Sequence, residues 1–234
     1  MKVIVIHASG IKASANRLTD ELKARGHNAE ARNPWREDYR GDASVDLVVS
    51  LGCSAKYTTK RRLNTREVVK TCVDKVKTFE VFNKAGIPTL DWTTSREEAS
   101  KWFCVAVRDV LDGKQGEGLD WWYNDGGEPL REAPLYTRQY THRQEYRVVY
   151  ALGRCWVFNK CLDAHTNEWS LKIHKDQASF RKMKDVCRKA AVALGADIVG
   201  FDVLAKDKKT FALLEANSGT WLHSEVCKYI ARNI

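Results

Sequence analysis

Two apolar segments near the C-terminus carry acidic and amide side chains in a pattern that restricts the fold strongly. Asp202 lies in Val-Gly-Phe-Asp-Val-Leu, and Glu215 and Asn217 lie in Leu-Leu-Glu-Ala-Asn, with a charged turn at 206–209 between them. The pattern predicts a β-hairpin in which Glu215 and Asn217 point to the same face and Asp202 lies alongside them. Such oxygen ligands suit Mg²⁺, which proteins hold by one or two carboxylates plus substrate phosphates. The hairpin therefore predicts a magnesium site used in nucleotide chemistry; the alternative is a solvated hairpin with incidental acids.

The composition is that of a globular chain without membrane segments. Its 234 residues suffice for one compact unit of two or three lobes, and a hydrophobic share of 44% is ordinary. No apolar run approaches the roughly 18 residues of a membrane span, and the N-terminal run is too short for a secretion signal. The seven cysteines are scattered without a Cys-x-x-Cys pair, which favours buried thiols in a reducing compartment. We therefore expect a cytoplasmic protein with no membrane partner.

The charge balance favours an anionic partner. Lys and Arg number 39 against 30 Asp and Glu, which gives a net charge of +9. Nucleic acid, a nucleotide or an acidic small molecule would each satisfy this balance. The tryptophans do not interleave with basic residues, so the sequence does not indicate a dedicated nucleic-acid binder. No His/Cys cluster indicates zinc, and no Gly-x-Ser-x-Gly elbow indicates a serine hydrolase.

The first 66 residues alternate strands and a helix in the manner of a small Rossmann-like domain. Apolar runs predict strands at 3–7, 29–32 and 45–50. A helix over 15–25, capped by Ser14, is predicted after the first strand. Such alternation is typical of a parallel sheet with right-handed crossovers. The turn after the first strand lacks the Gly-x-Gly-x-x-Gly fingerprint, so a dinucleotide site is not expected there.

The remaining chain is predicted to form two further lobes, over 67–132 and 133–234. A long helix over 65–85 ends at the C-cap glycine Gly86. The glycine-rich loop at 113–118 lies between two apolar strands, which predicts a hairpin flap rather than the strand-to-helix loop of a P-loop ATPase. Further strands are predicted at 135–140, 145–151 and 155–160, and a helix at 177–194.

Four stretches occur in an order that carries a family resemblance. They are Asp74 to Thr78 with Ala85 to Pro88, Ala106 to Arg108 with the loop at 113–118, Leu135 to Tyr140 with Glu145 to Val148, and Asp202 with Glu215 and Asn217. In this order they resemble the ATP-grasp superfamily of carboxylate–amine ligases, over about residues 64–220. The chain most resembles small RimK-like ligases and ATP-grasp proteins found in phages. The resemblance implies an ATP-grasp fold of α+β lobes behind an N-terminal Rossmann-like domain, with ATP and Mg²⁺ as cofactors.

The resemblance assigns the phosphate contacts to the smaller lobe. Lys75 and Arg108 would contact the α- and β-phosphates, and Arg108 stands where the family usually has Lys. Gly116 and Gly118 would let the backbone approach the phosphates, where a Cβ would obstruct it. The alternative for these glycines is an ordinary loose hairpin.

The hinge between the lobes would hold the adenosine part of the nucleotide. Tyr136, Thr137 and Tyr140 would line the adenine slot, and Thr137 occupies a position that is often acidic in the family. Both tyrosines have the alternative role of core aromatics. Glu145 would accept hydrogen bonds from the ribose hydroxyls, with a surface ion pair to a neighbouring arginine as its alternative.

Three further cations are predicted at the reacting groups. Arg147 follows Glu145 on the same strand face and would stabilise the acyl phosphate and the tetrahedral intermediate. Lys160 would reach the γ-phosphate or the acyl group. Lys172 would bind an acidic substrate group, and its alternative is an ordinary surface lysine.

These features together predict an ADP-forming ligase that makes an amide bond. A peptide or small-molecule carboxylate would be phosphorylated to an acyl phosphate, which an amine would then attack. The basic charge favours an anionic substrate, with a nucleic-acid-linked acceptor as one form of it. Two alternatives stay open from the sequence: a binding module for nucleic acid or protein that keeps the fold without catalysis, and an ATP-grasp enzyme whose acceptor is not an amine.

Overall fold

Strands and helices alternate along the chain in a computed structural model, which describes residues 1–34, 45–57, 59, 61–112, 117–162 and 169–234. Within these residues the strands form three sheets that follow one another along the sequence. The first sheet is parallel, and the second and third are antiparallel. The predicted fold class, α/β with α+β lobes, is confirmed.

The first sheet is formed by β1 (Lys2–His7), β2 (Asn28–Arg32), β3 (Leu47–Leu51) and β4 (Arg61–Leu63). Their order is β2-β1-β3-β4, and every pairing is parallel, as the alternation of strands and helix predicts. Helix α1 (Lys12–Lys23) packs on this sheet and buries Leu18 and Leu22. The apolar stripe of one amphipathic helix thus covers the apolar strands of the N-terminal segment.

The N-terminus of α1 corrects one prediction. The helix begins at Lys12, directly after a 3-10 turn over Ser9–Ile11, so Ser14 lies inside it rather than at its cap. The buried Ser14 hydroxyl accepts a hydrogen bond from the Leu222 amide at 3.0 Å. This serine therefore joins α1 to the C-terminal part of the chain, a long-range contact that a local pattern does not reveal.

The single helix predicted over 65–85 is two helices, α2 (Arg66–Val73) and α3 (Lys75–Lys84). Asp74 breaks it, because its backbone is extended and its carboxylate accepts a hydrogen bond from the Lys77 amide at 3.1 Å. Aspartate competes with the helical backbone in this way and therefore favours N-cap positions over helix interiors. Gly86 ends α3 with a φ of +61°, as predicted.

The second sheet is formed by β5 (Trp92–Thr93), β6 (Cys104–Arg108), β7 (Leu119–Tyr123) and β8 (Leu135–Arg138), in the order β5-β8-β6-β7. The one-turn helix α4 (Arg96–Ala99) begins after Ser95, whose side chain caps it. The lobe boundary predicted at residue 132 falls before β8, although β8 pairs with β5 and β6. Most of the predicted flap, including Gly116, lies outside the described residues.

The third sheet is formed by β9 (Gln144–Ala151), β10 (Arg154–Leu162), β11 (Trp169–Ile173), β12 (Ile198–Ala205) and β13 (Phe211–Asn217). Their order is β11-β10-β9-β12-β13. Helix α5 (Arg181–Leu194) ends at Gly195 as predicted, but it begins later than expected, after a 3-10 turn over Ala178–Phe180. Strand β11 and the C-terminal helix α6 (Ser224–Arg232) were not predicted.

Side chains alternate between the two faces of the third sheet, and each face has its own apolar core. On one face Val148, Val157 and Phe201 pack in a cluster with residues of α2, α3 and α5. On the other face Val149 and Phe158 pack in a cluster with residues of α1, α6 and the first sheet. The third sheet therefore lies between two apolar cores and is the central layer of the molecule.

Two findings bear on the expected environment of the chain. The helices of the described part are all too short or too polar to cross a bilayer. None of the seven cysteines, all of which lie in the described ranges, forms a disulfide, and each of them except Cys161 is buried. The expectation of buried thiols is therefore confirmed for six of the seven.

Candidate functional site

The predicted hairpin forms and brings its three oxygen-bearing side chains to one face. In the register of β12 and β13, Asp202 lies opposite Glu215 and Gly200 lies opposite Asn217. The Asn217 amide nitrogen donates a hydrogen bond to Glu215 Oε1 at 2.7 Å, which leaves the Asn217 carbonyl oxygen available as an acceptor. Asp202 is 4% exposed, and the other two side chains are half-buried.

Two cations from neighbouring strands converge on Asp202. Arg147 lies opposite Asp202 in the register of β9 and β12, and its Nε donates to Asp202 Oδ1. Lys160 Nζ lies 3.3 Å from Asp202 Oδ2 and 3.0 Å from Glu145 Oε2. Burial alone would raise the pKa of Asp202, but the charges of Arg147 and Lys160 outweigh it and hold this pKa below its usual value. The carboxylate is therefore ionised and neutralised inside the fold.

The same carboxylates shift the pKa values of Arg147 and Lys160. Burial would lower the pKa of Lys160, but Asp202 and Glu145 outweigh it and raise this pKa above its usual value. The pKa of Arg147 is also raised, because Asp202 and Glu215 overcome the effect of burial. Both side chains are therefore positively charged and largely shielded from water. Such fixed charges are suited to stabilising negative charge that develops during a reaction.

Two further cations approach Glu215 from the side of the smaller lobe. Burial lowers the pKa of Lys75 at the start of α3 and of Arg108 at the end of β6. In both cases the Glu215 carboxylate opposes this shift, so each cation is close enough to feel its charge. Lys75 Nζ also donates to the Leu111 carbonyl at 3.1 Å, which joins α3 to the segment before the glycine-rich loop. Cations of the second sheet and α3 therefore face the hairpin of the third sheet.

The donor set at the hairpin fits a hard cation that is shared with a phosphorylated ligand. It consists of two carboxylates and one amide, and no group of three His, Cys, Asp or Glu side chains positioned to hold a metal occurs in the described ranges. This composition is unlike a closed zinc or calcium site. It agrees with Mg²⁺, which keeps few protein ligands and completes its shell with phosphate oxygens and water.

The comparison with known proteins identifies the fold. No protein-family profile matches the chain, and no curated protein matches it in sequence. Among solved structures, the ATP-grasp ligase PsnB in complex with a minimal precursor, Mg and ADP is similar with a TM-score of 0.72 at 14% identity, over 99% of this chain and 95% of that one. A RimK-domain ATP-grasp protein from Sphaerobacter thermophilus is similar with a TM-score of 0.71 at 14% identity, over 100% and 99% of the two chains. The chain has the ATP-grasp fold.

A third solved structure that is similar to this chain belongs to a different ligase. The D-alanine–D-alanine ligase of Bacillus anthracis in complex with ATP has a TM-score of 0.66 at 12% identity, over 100% of this chain and 91% of that one. The resemblance drawn from the four sequence stretches therefore led to the correct fold. At these identities the likeness concerns the fold, and the roles of individual residues rest on their own geometry.

Tyr136 and Thr137, which are neighbours on β8, point to opposite faces of the second sheet. Thr137 pairs with Ala106 on the face that also carries Arg108, whereas Tyr136 pairs with Val107 on the opposite face. Tyr136 is fully buried, and its hydroxyl accepts from the Ala133 amide at 2.7 Å and donates to the Arg131 carbonyl at 2.9 Å. The predicted adenine contact of Tyr136 is therefore wrong, and this side chain is a core aromatic.

Tyr140 lies beyond β8 on the way to the third sheet, where it packs against Leu90 and Leu204. The Lys206 ammonium lies 5.4 Å from the centre of its ring. Tyr140 remains half-buried at the junction of the two sheets, which is where the prediction requires it. Its contact with adenine stays a prediction.

Lys172 is not brought to the cluster around Asp202. In the register of β10 and β11, Lys172 lies opposite Asn159, whereas Lys160 lies opposite Leu171. Because neighbouring residues of a strand point to opposite faces, Lys172 and Lys160 lie on different sides of the sheet. Lys172 is exposed and lies apart from this cluster, and its contact with a substrate stays a prediction.

Glu145 and Gly118 each have a defined local environment, and their contacts with a nucleotide stay predictions. Glu145 pairs with Lys160 and, at 3.3 Å, with His142, rather than with a neighbouring arginine. Gly118 has a φ of +66°, and a Cβ there would lie 2.8 Å from Val110 Cγ2. A side chain at 118 would therefore disturb the base of the glycine-rich loop, so glycine is required at least for the local backbone.

Sequence reasoning missed Thr220, which helps to hold Arg147. Thr220 is fully buried in the segment after β13, and its hydroxyl oxygen lies 3.4 Å from Arg147 Nη1. It packs directly over Gly200, where an added Cβ would lie 2.1 Å from Thr220 Oγ1 and 3.2 Å from Arg147 Cδ. The sequence shows that Gly200 lies two residues before Asp202. No sequence pattern, however, indicates that Thr220 contacts either Gly200 or Arg147.

Gly200→Ala is expected to lower the free energy of unfolding by about 1–3 kcal/mol, because the new methyl group overlaps Thr220 in a packed site. Thermal and urea unfolding of the variant would measure this loss. Gly10→Ala is the control, since no atom lies within 4 Å of a Cβ at that position and its φ is not positive. Equal stability of the two variants would contradict the proposed packing of Thr220 over β12.

Proposed function

We propose that the chain is an ATP- and Mg²⁺-dependent ligase that joins a carboxylate to an amine through an acyl phosphate. The observation that carries the proposal is the convergence of charge at one place. Asp202, Glu215 and Asn217 offer oxygen ligands there, and Arg147 and Lys160 are held on Asp202 beside them. The similar ATP-grasp structures contain ADP with Mg, or ATP, which supports the same ligands here.

The nucleotide would bind between the second and third sheets. Lys75 and Arg108 would contact its α- and β-phosphates from one side, with the backbone around Gly118 close by. Thr137 and Tyr140 would line the adenine slot, and Glu145 would accept hydrogen bonds from the ribose hydroxyls. Mg²⁺ held by Asp202, Glu215 and Asn217 would neutralise phosphate charge during the transfer.

The chain's own part in the reaction is to position charge, since phosphoryl transfer needs no protein nucleophile. An oxygen of the substrate carboxylate attacks the γ-phosphorus, the bond to the β-phosphate oxygen breaks, and ADP leaves. The amine then attacks the acyl carbon, loses a proton, and expels inorganic phosphate to leave the amide. Arg147 and Lys160 would stabilise the negative charge on the acyl phosphate and on the tetrahedral intermediate.

The substrate class follows from charge and from the related structures. The net charge of +9 favours an anionic carboxylate, and PsnB was solved with a precursor peptide. We therefore propose a peptide or small-molecule carboxylate as donor and an amine as acceptor. Buried cysteines without disulfide bonds suit a reducing compartment, so a cytoplasmic location is part of the proposal.

Binding of Mg-ATP is the first test. At about a hundred times its Kd, the ligand should add roughly 2.7 kcal/mol to the free energy of unfolding, which thermal unfolding detects as a shift of a few degrees. Arg108→Gln should reduce this shift strongly, because a half-buried cation facing Glu215 is lost. Arg138→Gln is the matched control, since Arg138 lies on the other face of the second sheet in an exposed pair with Asp91.

Three outcomes separate the interpretations. A Mg²⁺-dependent shift that Arg108→Gln reduces and Arg138→Gln leaves intact supports the nucleotide site. No shift in the wild type would instead favour a binding module without catalysis. A shift combined with ADP release but no amide among the products would favour an enzyme with a different acceptor.

A further inference from the structure

A groove lies between α5 and the turn that joins β12 to β13. It encloses about 540 Å³. We call it the basic groove, and its lining consists of Ser179, Arg181, Lys182, Asp185, Val186, Lys189, Lys208 and Lys209. Helix α5 packs on the face of the third sheet that carries Val148 and Val157, opposite to the face with Arg147 and Asp202. The basic groove is therefore separate from the candidate active site.

The groove and its surroundings hold most of the net charge of the chain. Residues 175–189 and 206–209 contain nine Lys and Arg against three Asp, a net charge of +6. The whole chain of 234 residues has a net charge of +9. The lining of the groove alone contains five of these cations and one of the Asp residues, and such a concentration of positive charge raises the local concentration of anionic partners.

The three acidic residues in these segments are already engaged. Asp185 pairs with Arg188 at 2.6 Å, and Asp176 lies 3.6 Å from Lys208. Asp207 accepts hydrogen bonds from two backbone amides of its own turn, at 2.7 and 2.8 Å. Among the residues that the structure describes, Arg181, Lys182, Lys189 and Lys209 have no carboxylate partner. These four side chains can therefore meet an outside anion without first breaking an ion pair.

The walls of the groove are fixed relative to each other. Lys182 Nζ donates to the Lys209 carbonyl at 2.9 Å, and Lys208 Nζ donates to Ser179 Oγ at 2.7 Å. These bonds join the helix side and the turn side of the groove. A groove held open in this way needs little rearrangement to bind a ligand.

We propose that the basic groove binds an acidic peptide segment. Lys182, Val186 and Lys189 lie on one stripe of the surface of α5. The apolar side chain of Val186 is therefore flanked by two ammonium groups. A peptide that alternates carboxylate and apolar side chains matches this arrangement. Single-stranded nucleic acid is favoured less, because the uncharged lining residues are Ser179 and Val186, and neither offers a ring on which a base would stack.

The proposal is independent of the proposed ligase activity, because the lining of the basic groove contains none of the side chains that converge around Asp202, Glu215 and Asn217. It is tested by fluorescence anisotropy with the full chain and a labelled peptide of alternating glutamate and leucine. The variant Lys182→Ala/Lys189→Ala/Lys209→Ala should bind this peptide about tenfold more weakly, since three exposed ion pairs are lost. The control Lys12→Ala/Lys23→Ala/Lys228→Ala removes the same charge from exposed positions elsewhere and should leave the affinity unchanged.

Competing outcomes are distinguished in the same titrations. An oligodeoxythymidylate of equal charge that binds more tightly than the peptide and displaces it would overturn the choice of a peptide. Equal weakening by both triple variants would show a general charge effect and overturn the site. Thermal unfolding checks that the groove variant is folded, and Lys189→Glu, which leaves the bond between Lys182 and Lys209 intact, is the second variant if it is not.

Discussion

Glu215→Gln is expected to reduce ADP formation by a factor of at least about 10²–10³ while the fold is retained. The substitution keeps the volume of the side chain but removes the charge that faces Lys75, Arg108 and Arg147. It also exchanges a carboxylate ligand of the proposed magnesium site for a neutral amide. ADP release is followed with Mg-ATP, an acidic peptide and an amine that the wild type converts.

Glu215 is a better target than Asp202 for this experiment. Asp202 is buried and neutralises Arg147 and Lys160, so its replacement would leave buried cations uncompensated and would destabilise the fold by about 3–5 kcal/mol. Glu132→Gln serves as the control, because Glu132 is an exposed carboxylate in a surface pair with Arg96. Normal turnover in Glu215→Gln would remove the metal assignment, whereas loss in both variants would point to unfolding or to a faulty preparation.

The sequence predicted those parts of the site that depend on local spacing. The hairpin required only two apolar strands and a short turn, and its register then fixed Asp202 opposite Glu215. Arg147 followed from Glu145 by the two-residue period of a strand. The order of four short stretches was enough to lead to the ATP-grasp fold, although only about one residue in seven is identical to the similar structures.

Errors arose where the answer depended on which face of a sheet a residue occupies. Tyr136 lies one position away from Thr137, which shares a face with Arg108, and a shift of one residue moves a side chain to the other face. Pairing partners fix the face, and Tyr136 has its partners Val107 and Thr93 far away in the sequence. Thr220 was missed for a related reason. It contacts Arg147, which lies far away in the sequence, and no local sequence pattern predicts such a contact.

Asn64 is a second residue whose long-range contacts no local sequence pattern predicts, and its replacement is expected to have a large effect on stability. It is fully buried with a φ of +55°, between β4 and α2. Its amide nitrogen donates to the carbonyls of Ser50 and Ile198 at 3.1 and 2.6 Å. Its Oδ1 accepts from the amides of Asp197 and Ile198 at 2.9 and 3.1 Å. One side chain thus joins β3 of the first sheet to the start of β12, the strand that carries Asp202.

Asn64→Ala is expected to lower the free energy of unfolding by at least about 3 kcal/mol, because four buried backbone groups lose their partner and alanine fits a positive φ poorly. Urea unfolding measures the loss. Asn64→Asp should also destabilise, since an ionised carboxylate cannot donate to the Ser50 and Ile198 carbonyls. Asn16→Ala, on the exposed side of α1, is the control and should be close to neutral.

The two Asn64 variants also separate stability from the geometry of the site. The bonds of Asn64 are expected to hold the first sheet against β12 without shaping the site itself. The variants should then lose Mg-ATP binding only in proportion to the fraction of unfolded protein, because the proposed metal-binding side chains on β12 and β13 are unchanged. A variant as stable as the wild type would show that these four hydrogen bonds are not what joins the two sheets. Weaker binding by a fully folded variant would instead show that the contact between the sheets sets the position of Asp202.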